Sequence, residues 1–163
     1  MGRSGRMFES CHTDHFQMKQ KFIDLYMDWA NRTAQLSHAK RLQVGAVIVK
    51  DDSVISYGYN GMPAGWDNNC EHDMYDDAEQ WVGNKTKPEV LHAESNAIAK
   101  LAKSTNSGLG ADLFVTHAPC LDCAKLIYQS GIHRVYFNQN YRDDAGLDFL
   151  AKSGIEVNKI SRD

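Results

Sequence analysis

The chain predicts an α/β fold, a mixed sheet covered by helices on both faces, and three observations carry that expectation. They are an amphipathic opening helix, two short β-branched runs joined as a hairpin, and regular strand and helix alternation over residues 92–160. Phe22, Leu25, Tyr26, Trp29 and Leu36 recur at helical spacing between about Phe16 and Leu36, which predicts a helix packing these side chains into the core. Val44 to Val49 and Val54 to Tyr59 are rich in β-branched residues, and Lys50-Asp51-Asp52-Ser53 between them predicts a hairpin turn. From Asn60 to Val90 the chain carries Gly61, Pro63, Gly65, Gly83 and Pro88, which predicts a long irregular segment with a helical turn or two at Asp73 to Val82. Loops of that length inside a domain are usually functional. Thereafter the pattern predicts a helix at His92 to Ala102, a strand at Asp112 to Thr116, a helix at Cys120 to Ser130 stopped by Gly131, and a strand at Arg134 to Phe137. Gly146 to Ser153 adds a helix ended by Gly154, and Ile155 to Ile160 a last strand.

With 163 residues, of which 42% are hydrophobic, the chain is long enough to bury a full core, and one domain over residues 15–163 behind a disordered tail at residues 1–14 is expected. Gly2 invites comparison with a myristoylation signal, yet Arg6 stands where that signal needs Ser or Thr. The polar start, Met1 to Glu9, has no signal-peptide character and no apolar run is long enough to span a bilayer, so a cytoplasmic protein is expected. Four cysteines in a reducing compartment are expected as thiols or metal ligands. A net charge of −3 argues against a broad polynucleotide-binding face and favours a small substrate.

The chemistry concentrates in His92-Ala93-Glu94 and Pro119-Cys120-Leu121-Asp122-Cys123. A Cys-x-x-Cys pair alone is open to three other readings: a redox pair, half of a structural zinc knuckle, or two buried thiols. With the upstream histidine and the preceding proline it reads as a catalytic zinc site, in which three protein ligands leave the fourth position to water. Glu94, two residues beyond His92, can stand beside that water without ligating the metal, where a proton shuttle must be. The ligands fall at the first turns of two helices, whose partial positive charge favours the thiolates of Cys120 and Cys123. The whole pattern resembles the signature of zinc-dependent nucleobase deaminases.

A more specific resemblance rests on Gly58-Tyr59-Asn60-Gly61-Met62-Pro63, the long insert after it, His92-Ala93-Glu94-Ser95-Asn96-Ala97-Ile98, and Pro119-Cys120 to Cys123-Ala124-Lys125-Leu126-Ile127. Over roughly Val44 to Val157 these segments resemble the deoxycytidylate (dCMP) deaminase family. Free-nucleoside cytidine deaminases and tRNA adenosine deaminases share the zinc pieces without the Gly-Tyr-Asn-Gly-x-Pro segment and its insert.

The resemblance implies a three-layer α/β/α cytidine-deaminase-like sandwich with a five-stranded mixed sheet. It implies a catalytic Zn2+ held by His92, Cys120 and Cys123, and hydrolysis of dCMP to dUMP and ammonia with Glu94 as proton shuttle, supplying dUMP for thymidylate synthesis. It also implies a homohexamer, activation by dCTP and inhibition by dTTP, with Mg2+ accompanying the triphosphate. Substrate contacts are expected from Asn60, Ala93, Ala118, Tyr141 and Arg142: Asn60 at the sugar, Ala118 through backbone groups at the exocyclic amine, and Arg142 at the 5′-phosphate. Asn60 has an alternative role as a turn residue. Lys40 and Arg41 are further phosphate candidates, and each of these cations is alternatively a solvated surface charge. Gly61, Met62, Pro63, Glu71 and His72 are expected in an effector-binding or subunit-contact loop. Cys70-Glu71-His72 with Cys11-His12 is alternatively a second, structural zinc site. Ser95 stands where the family has Leu or Met and is expected to loosen local packing. The competing function is a zinc deaminase of another cytosine or adenine substrate, free nucleoside or nucleic acid, of which the last needs a basic groove with stacking aromatics.

Overall fold

A helix, α1 (Gln20–Ala34), opens the computed structural model, which describes residues 17–161. The expected tail at residues 1–14, with Cys11 and His12, lies outside the described residues. Helix α1 buries Ile23, Tyr26, Met27, Ala30 and Ala34. Of the five side chains expected in the core, Tyr26 is buried and Phe22 packs partly against the core, but Leu25, Trp29 and Leu36 are close to half exposed. The correction has a geometric cause. Leu25 and Trp29 follow Ile23 and Met27 by two residues, about 200° around a helix of 3.6 residues per turn, so two apolar stripes coexist and only one can face the sheet. The stripe ending in Ala30 and Ala34 wins because small residues allow close approach.

Strands β1 (Gly45–Lys50) and β2 (Ser53–Tyr59) form the expected antiparallel hairpin. Its turn residues Asp51 and Asp52 take left-handed φ values of 50° and 58°, a conformation aspartate tolerates better than branched residues do. Glycine is required once on each face of this hairpin. A Cβ on Gly45 would lie 2.1 Å from the Ala30 carbonyl oxygen of α1. One on Gly58 would lie 2.3 Å from the carbonyl oxygen of Ala93, in the helix α2 (Ala93–Ala102).

Residues 60–90 are not the irregular segment expected. They contain an antiparallel hairpin, β3 (Glu71–Tyr75) and β4 (Trp81–Thr86), where a helical turn was predicted at Asp73 to Val82. The β-formers Met74, Tyr75, Trp81 and Val82 flank a turn closed by Asp76, whose Oδ1 accepts from the backbone N–H groups of Ala78 and Gln80. Apart from Glu71, these strands are largely exposed, so they lack the alternation that marks a half-buried strand.

The remaining elements follow the predicted order: α2, β5 (Asp112–His117), α3 (Leu121–Gln129), β6 (Arg134–Gln139), α4 (Ala145–Lys152) and β7 (Glu156–Lys159). The main sheet has the order β2-β1-β5-β6-β7, antiparallel from β2 to β5 and parallel from β5 to β7. It is the five-stranded mixed sheet of an α/β/α sandwich. Alternate side chains separate the layers. Val47, Val49, Phe114 and Tyr136 face α1, whereas Ala46, Ile48, Leu113, Val115, Val135 and Phe137 face the core shared with α2, α3 and α4. Phe114 stacks on Tyr136 with centroids 4.6 Å apart. At the opposite end of β5 and β6 from the helix-bearing loops, Arg134 pairs with Asp112 through two hydrogen bonds of 2.8 and 2.9 Å. No helix among the described residues is long and apolar enough to cross a membrane.

Candidate active site

The site lies outside the carboxyl ends of β5 and β6, where α/β sheets place their ligands. His92 is the N-cap of α2 and Cys120 the N-cap of α3, and Cys123 lies in the first turn of α3. Nδ1 of His92 is 3.5 Å from Sγ of Cys120 and 3.4 Å from Sγ of Cys123. Tetrahedral zinc with bonds of about 2.0–2.3 Å to nitrogen and sulfur needs ligand separations near 3.5 Å, so these side chains fit the metal. Among the described residues, this is the one group of three or more His, Cys, Asp or Glu side chains close enough to hold an ion. Hydrogen bonding from Cys123 and then from His92 holds the Cys120 thiol down to about 4, while the same sharing and burial push Cys123 up. The His92 imidazole is raised in turn by its bond to Cys120.

Glu94 is buried, and burial pushes its carboxyl from the ordinary 4.5 up to about 7. A carboxyl poised there can both take and return a proton near neutral pH. Ser95, expected to loosen this turn, ties it instead: its hydroxyl donates to the His92 carbonyl at 2.9 Å. Upstream, Gly61 and Leu91 exchange backbone hydrogen bonds of 3.1 and 2.8 Å, so the Gly58-to-Pro63 segment braces the chain one residue before His92.

His92, Glu94 and Cys120 open into a cavity of about 540 Å3. That is within the range of small-molecule sites. Asn60, Ala93, Ala118, Tyr141 and Arg142 all line it, so all five expected substrate contacts are brought together with the zinc cluster. The Asn60 side chain also serves its loop: Oδ1 accepts from Val44 N–H at 2.8 Å and Nδ2 donates to the Leu42 carbonyl at 2.7 Å. Arg142 extends into solvent over the Tyr141 ring, with Asp143 3.7 Å away. Arg41 contributes to the wall, whereas Lys40 does not.

Of the residues expected in an effector loop, Glu71 belongs to this same cavity, and Gly61, Met62, Pro63 and His72 do not line it. Cys70 is buried with its thiol directed to the Asn68 carbonyl and joins no metal-holding cluster among the described residues. His117 and Thr86 line the cavity without having been singled out. His117, whose burial lowers its pKa, stands two residues before Pro119 at the end of β5, the one sequence signal available for it.

Comparison with known proteins agrees with this geometry. The family model of the cytidine and deoxycytidylate deaminase zinc-binding region matches residues 20–139. The dCMP deaminase of cyanophage S-TIM5, solved with dCMP and dUMP, superimposes with a TM-score of 0.80 at 42% identity, covering 88% of this chain and 100% of that one. The deoxycytidylate deaminase of Enterobacteria phage T4 is 35% identical over 74% of this chain and 80% of its own length. The human deoxycytidylate deaminase is 38% identical over 74% of this chain and 70% of its own length. With its zinc-ligand triangle, its five-stranded sheet and these relatives, the chain belongs to the cytidine and deoxycytidylate deaminase family.

Proposed function

We propose that the protein hydrolyses dCMP to dUMP and ammonia, with Glu94 as the catalytic proton carrier. The observation that carries this reading is the His92, Cys120 and Cys123 triangle with a buried carboxyl beside it, opening into a cavity of nucleotide size. Similarity to a phage dCMP deaminase solved with dCMP and dUMP supports the choice of base and sugar.

His92, Cys120 and Cys123 would hold the zinc, which would supply a water acidified to near-neutral pKa. Glu94 takes a proton from the attacking water and delivers it to N3 of the cytosine as oxygen adds to C4. It then carries the remaining hydroxyl proton to the exocyclic amino group, the C4–N bond breaks, and ammonia leaves as the C4 carbonyl forms. Ala118, whose N–H is donated to the Gln139 carbonyl at 2.8 Å, offers its own carbonyl to that amine, while Ala93 and Tyr141 border the base and Asn60 the sugar. The cationic wall of Arg41 and Arg142 takes the 5′-phosphate.

The same reading carries the family's wider behaviour: a cytoplasmic homohexamer supplying dUMP for thymidylate synthesis, activated by dCTP and inhibited by dTTP with Mg2+ on the triphosphate. Its support is the Gly58-to-Pro63 segment with the insert that follows. The test is ammonia release by the zinc-loaded protein from dCMP, deoxycytidine, dCTP and a cytosine-containing oligonucleotide, each with and without dCTP as effector. Turnover confined to dCMP is expected. Turnover of the oligonucleotide alone would overturn the substrate while keeping the chemistry.

A further inference from the structure

The loop that carries Arg41 is gripped from two sides. Asn60 holds Leu42 and Val44 by their backbone groups, as described above. Glu71, at the root of the β3–β4 hairpin, holds the other half: its Oε1 accepts from the backbone N–H of Lys40 at 2.8 Å and of Arg41 at 3.2 Å. Thr86, paired with Glu71 across the hairpin, accepts from Nη1 of Arg41 at 3.4 Å. Main chain and side chain of Arg41 are thus both anchored to one hairpin rung, and Arg41, Glu71 and Thr86 all line the cavity that holds His92 and Glu94.

Glu71 is only 4% exposed, and its Oε2 is buried with no hydrogen-bond partner. Among the described residues no lysine or arginine forms an ion pair with it. A carboxylate in that state is costly to fold, so a role beyond stability is indicated. Arg142, the other cation of the wall, has a side chain 80% exposed and its nearest charge in Asp143. Its partners, the Tyr141 ring and Asp143, are its own chain neighbours, whereas Arg41, also exposed, is tied to a separate element.

We infer that Glu71 is a positioning residue: by fixing the Lys40–Arg41 backbone it presents the Arg41 guanidinium as the pre-ordered ligand of the substrate's 5′-phosphate. This rests on the dCMP reading and deepens it. A held guanidinium loses less freedom on binding phosphate than a solvated one, so the arrangement contributes to affinity through pre-organisation. It also gives the hairpin a function, since the rung Glu71–Thr86 is where the insert meets the active site.

The test uses the full zinc-loaded chain and compares ligands with and without phosphate. Affinities for dUMP and deoxyuridine are measured by calorimetry, and kcat and KM for dCMP by ammonia release. Arg41→Ala is expected to weaken dUMP about 10- to 100-fold, as loss of a charge-assisted bond does, with deoxyuridine unchanged. Glu71→Ala should raise the dUMP Kd and the dCMP KM about tenfold with kcat nearly unchanged. Glu71→Gln, whose amide oxygen still accepts both N–H groups, should recover most of that loss. In the Arg41→Ala background, Glu71→Ala should add little. Equal weakening of dUMP and deoxyuridine by Glu71→Ala would overturn the inference, leaving Glu71 a purely structural residue. If Glu71→Ala does not fold, Glu71→Asp, whose shorter side chain cannot reach both N–H groups, takes its place: a weakened dUMP with unchanged deoxyuridine is expected, and equal affinities to wild type would overturn the inference. A wild-type protein that binds dUMP by its phosphate but does not turn over dCMP would sink the catalytic reading and not this one.

Discussion

Adding one methyl group at Gly58 should disable the active site without altering any zinc ligand or Glu94. An ideal Cβ there would stand 2.3 Å from the carbonyl oxygen of Ala93 and 2.5 Å from the nitrogen of Ala97, where ordinary contacts begin at 3.4 Å. Both atoms are backbone, so no side chain can swing aside. Helix α2 has to retreat from β2 by about 1 Å, and overpacking of this kind costs roughly 1–3 kcal/mol. At about 2–4 °C per kcal/mol for a chain of this size, the melting temperature should fall by roughly 2–12 °C. The functional loss should be larger in proportion. Ala93 lies between His92 and Glu94, so the retreat draws both away from Cys120 and Cys123 on α3, and a displacement of about 1 Å costs on the order of a hundredfold in rate. Gly45→Ala is the control, because its Cβ would meet Ala30 and Ala34 of α1 at 2.1 and 2.4 Å on the opposite face of the sheet, away from every zinc ligand. Thermal melts, zinc content and dCMP turnover below both transitions are the assays. Comparable destabilisation is expected in both variants, with loss of zinc and turnover in Gly58→Ala alone. Full turnover in a folded Gly58→Ala protein, or equal loss in Gly45→Ala, would refute the reasoning.

Four other outcomes follow from the geometry of the site and the sheet. Glu94→Gln should bind zinc at the wild-type level while turnover falls by about 10²–10⁴, the usual contribution of a general acid–base, and full activity in the zinc-loaded variant would remove Glu94 from the mechanism. Cys123→Ala should leave zinc with two protein ligands, so metal content by mass spectrometry and turnover should drop together. Chelation of the wild type should likewise abolish ammonia release until zinc is restored. Asp112→Ala strips Arg134 of a nearly buried partner and should cost about 3–5 kcal/mol by denaturant titration. Its kcat well below the transition should match wild type, since the pair lies at the other end of β5 and β6 from the zinc ligands; a large kcat loss would mean that the sheet does not insulate the two ends.

The parts of the fold legible in the sequence are those where burial is one-sided and locally repeated. Strands β1, β5 and β6 are largely buried runs of β-branched, aromatic and other apolar residues, and Gly131 and Gly154 follow the ends of α3 and α4 with φ values of 83° and 78°. Helix α1 was legible as a helix but not as a face, because Leu25 and Trp29 repeat at the same interval as Ile23 and Met27. Side-chain volume, which is what decided between the stripes, is invisible to a count of apolar positions. The β3–β4 hairpin was illegible for the complementary reason: it packs on almost nothing, so Trp81 and Val82 carry the β preference without the periodicity that announces a strand.

The same division runs through the active site. Zinc chemistry accepts few ligand types in few geometries, so His92, Cys120 and Cys123 declare themselves by identity and spacing, and Glu94 by its place beside them. Phosphate binding makes no such demand on sequence, because an arginine that grips a nucleotide is chemically the same residue as one that solvates a surface. What would single out Arg41 is its tie to Glu71 and Thr86, thirty and forty-five positions away along the chain. Glu71 was placed in an effector loop because that loop is where its sequence neighbours lie. The pairing of β3 and β4 brings Glu71 and Thr86 together at the cavity wall, so the fold element least legible in the sequence also lines the site cavity.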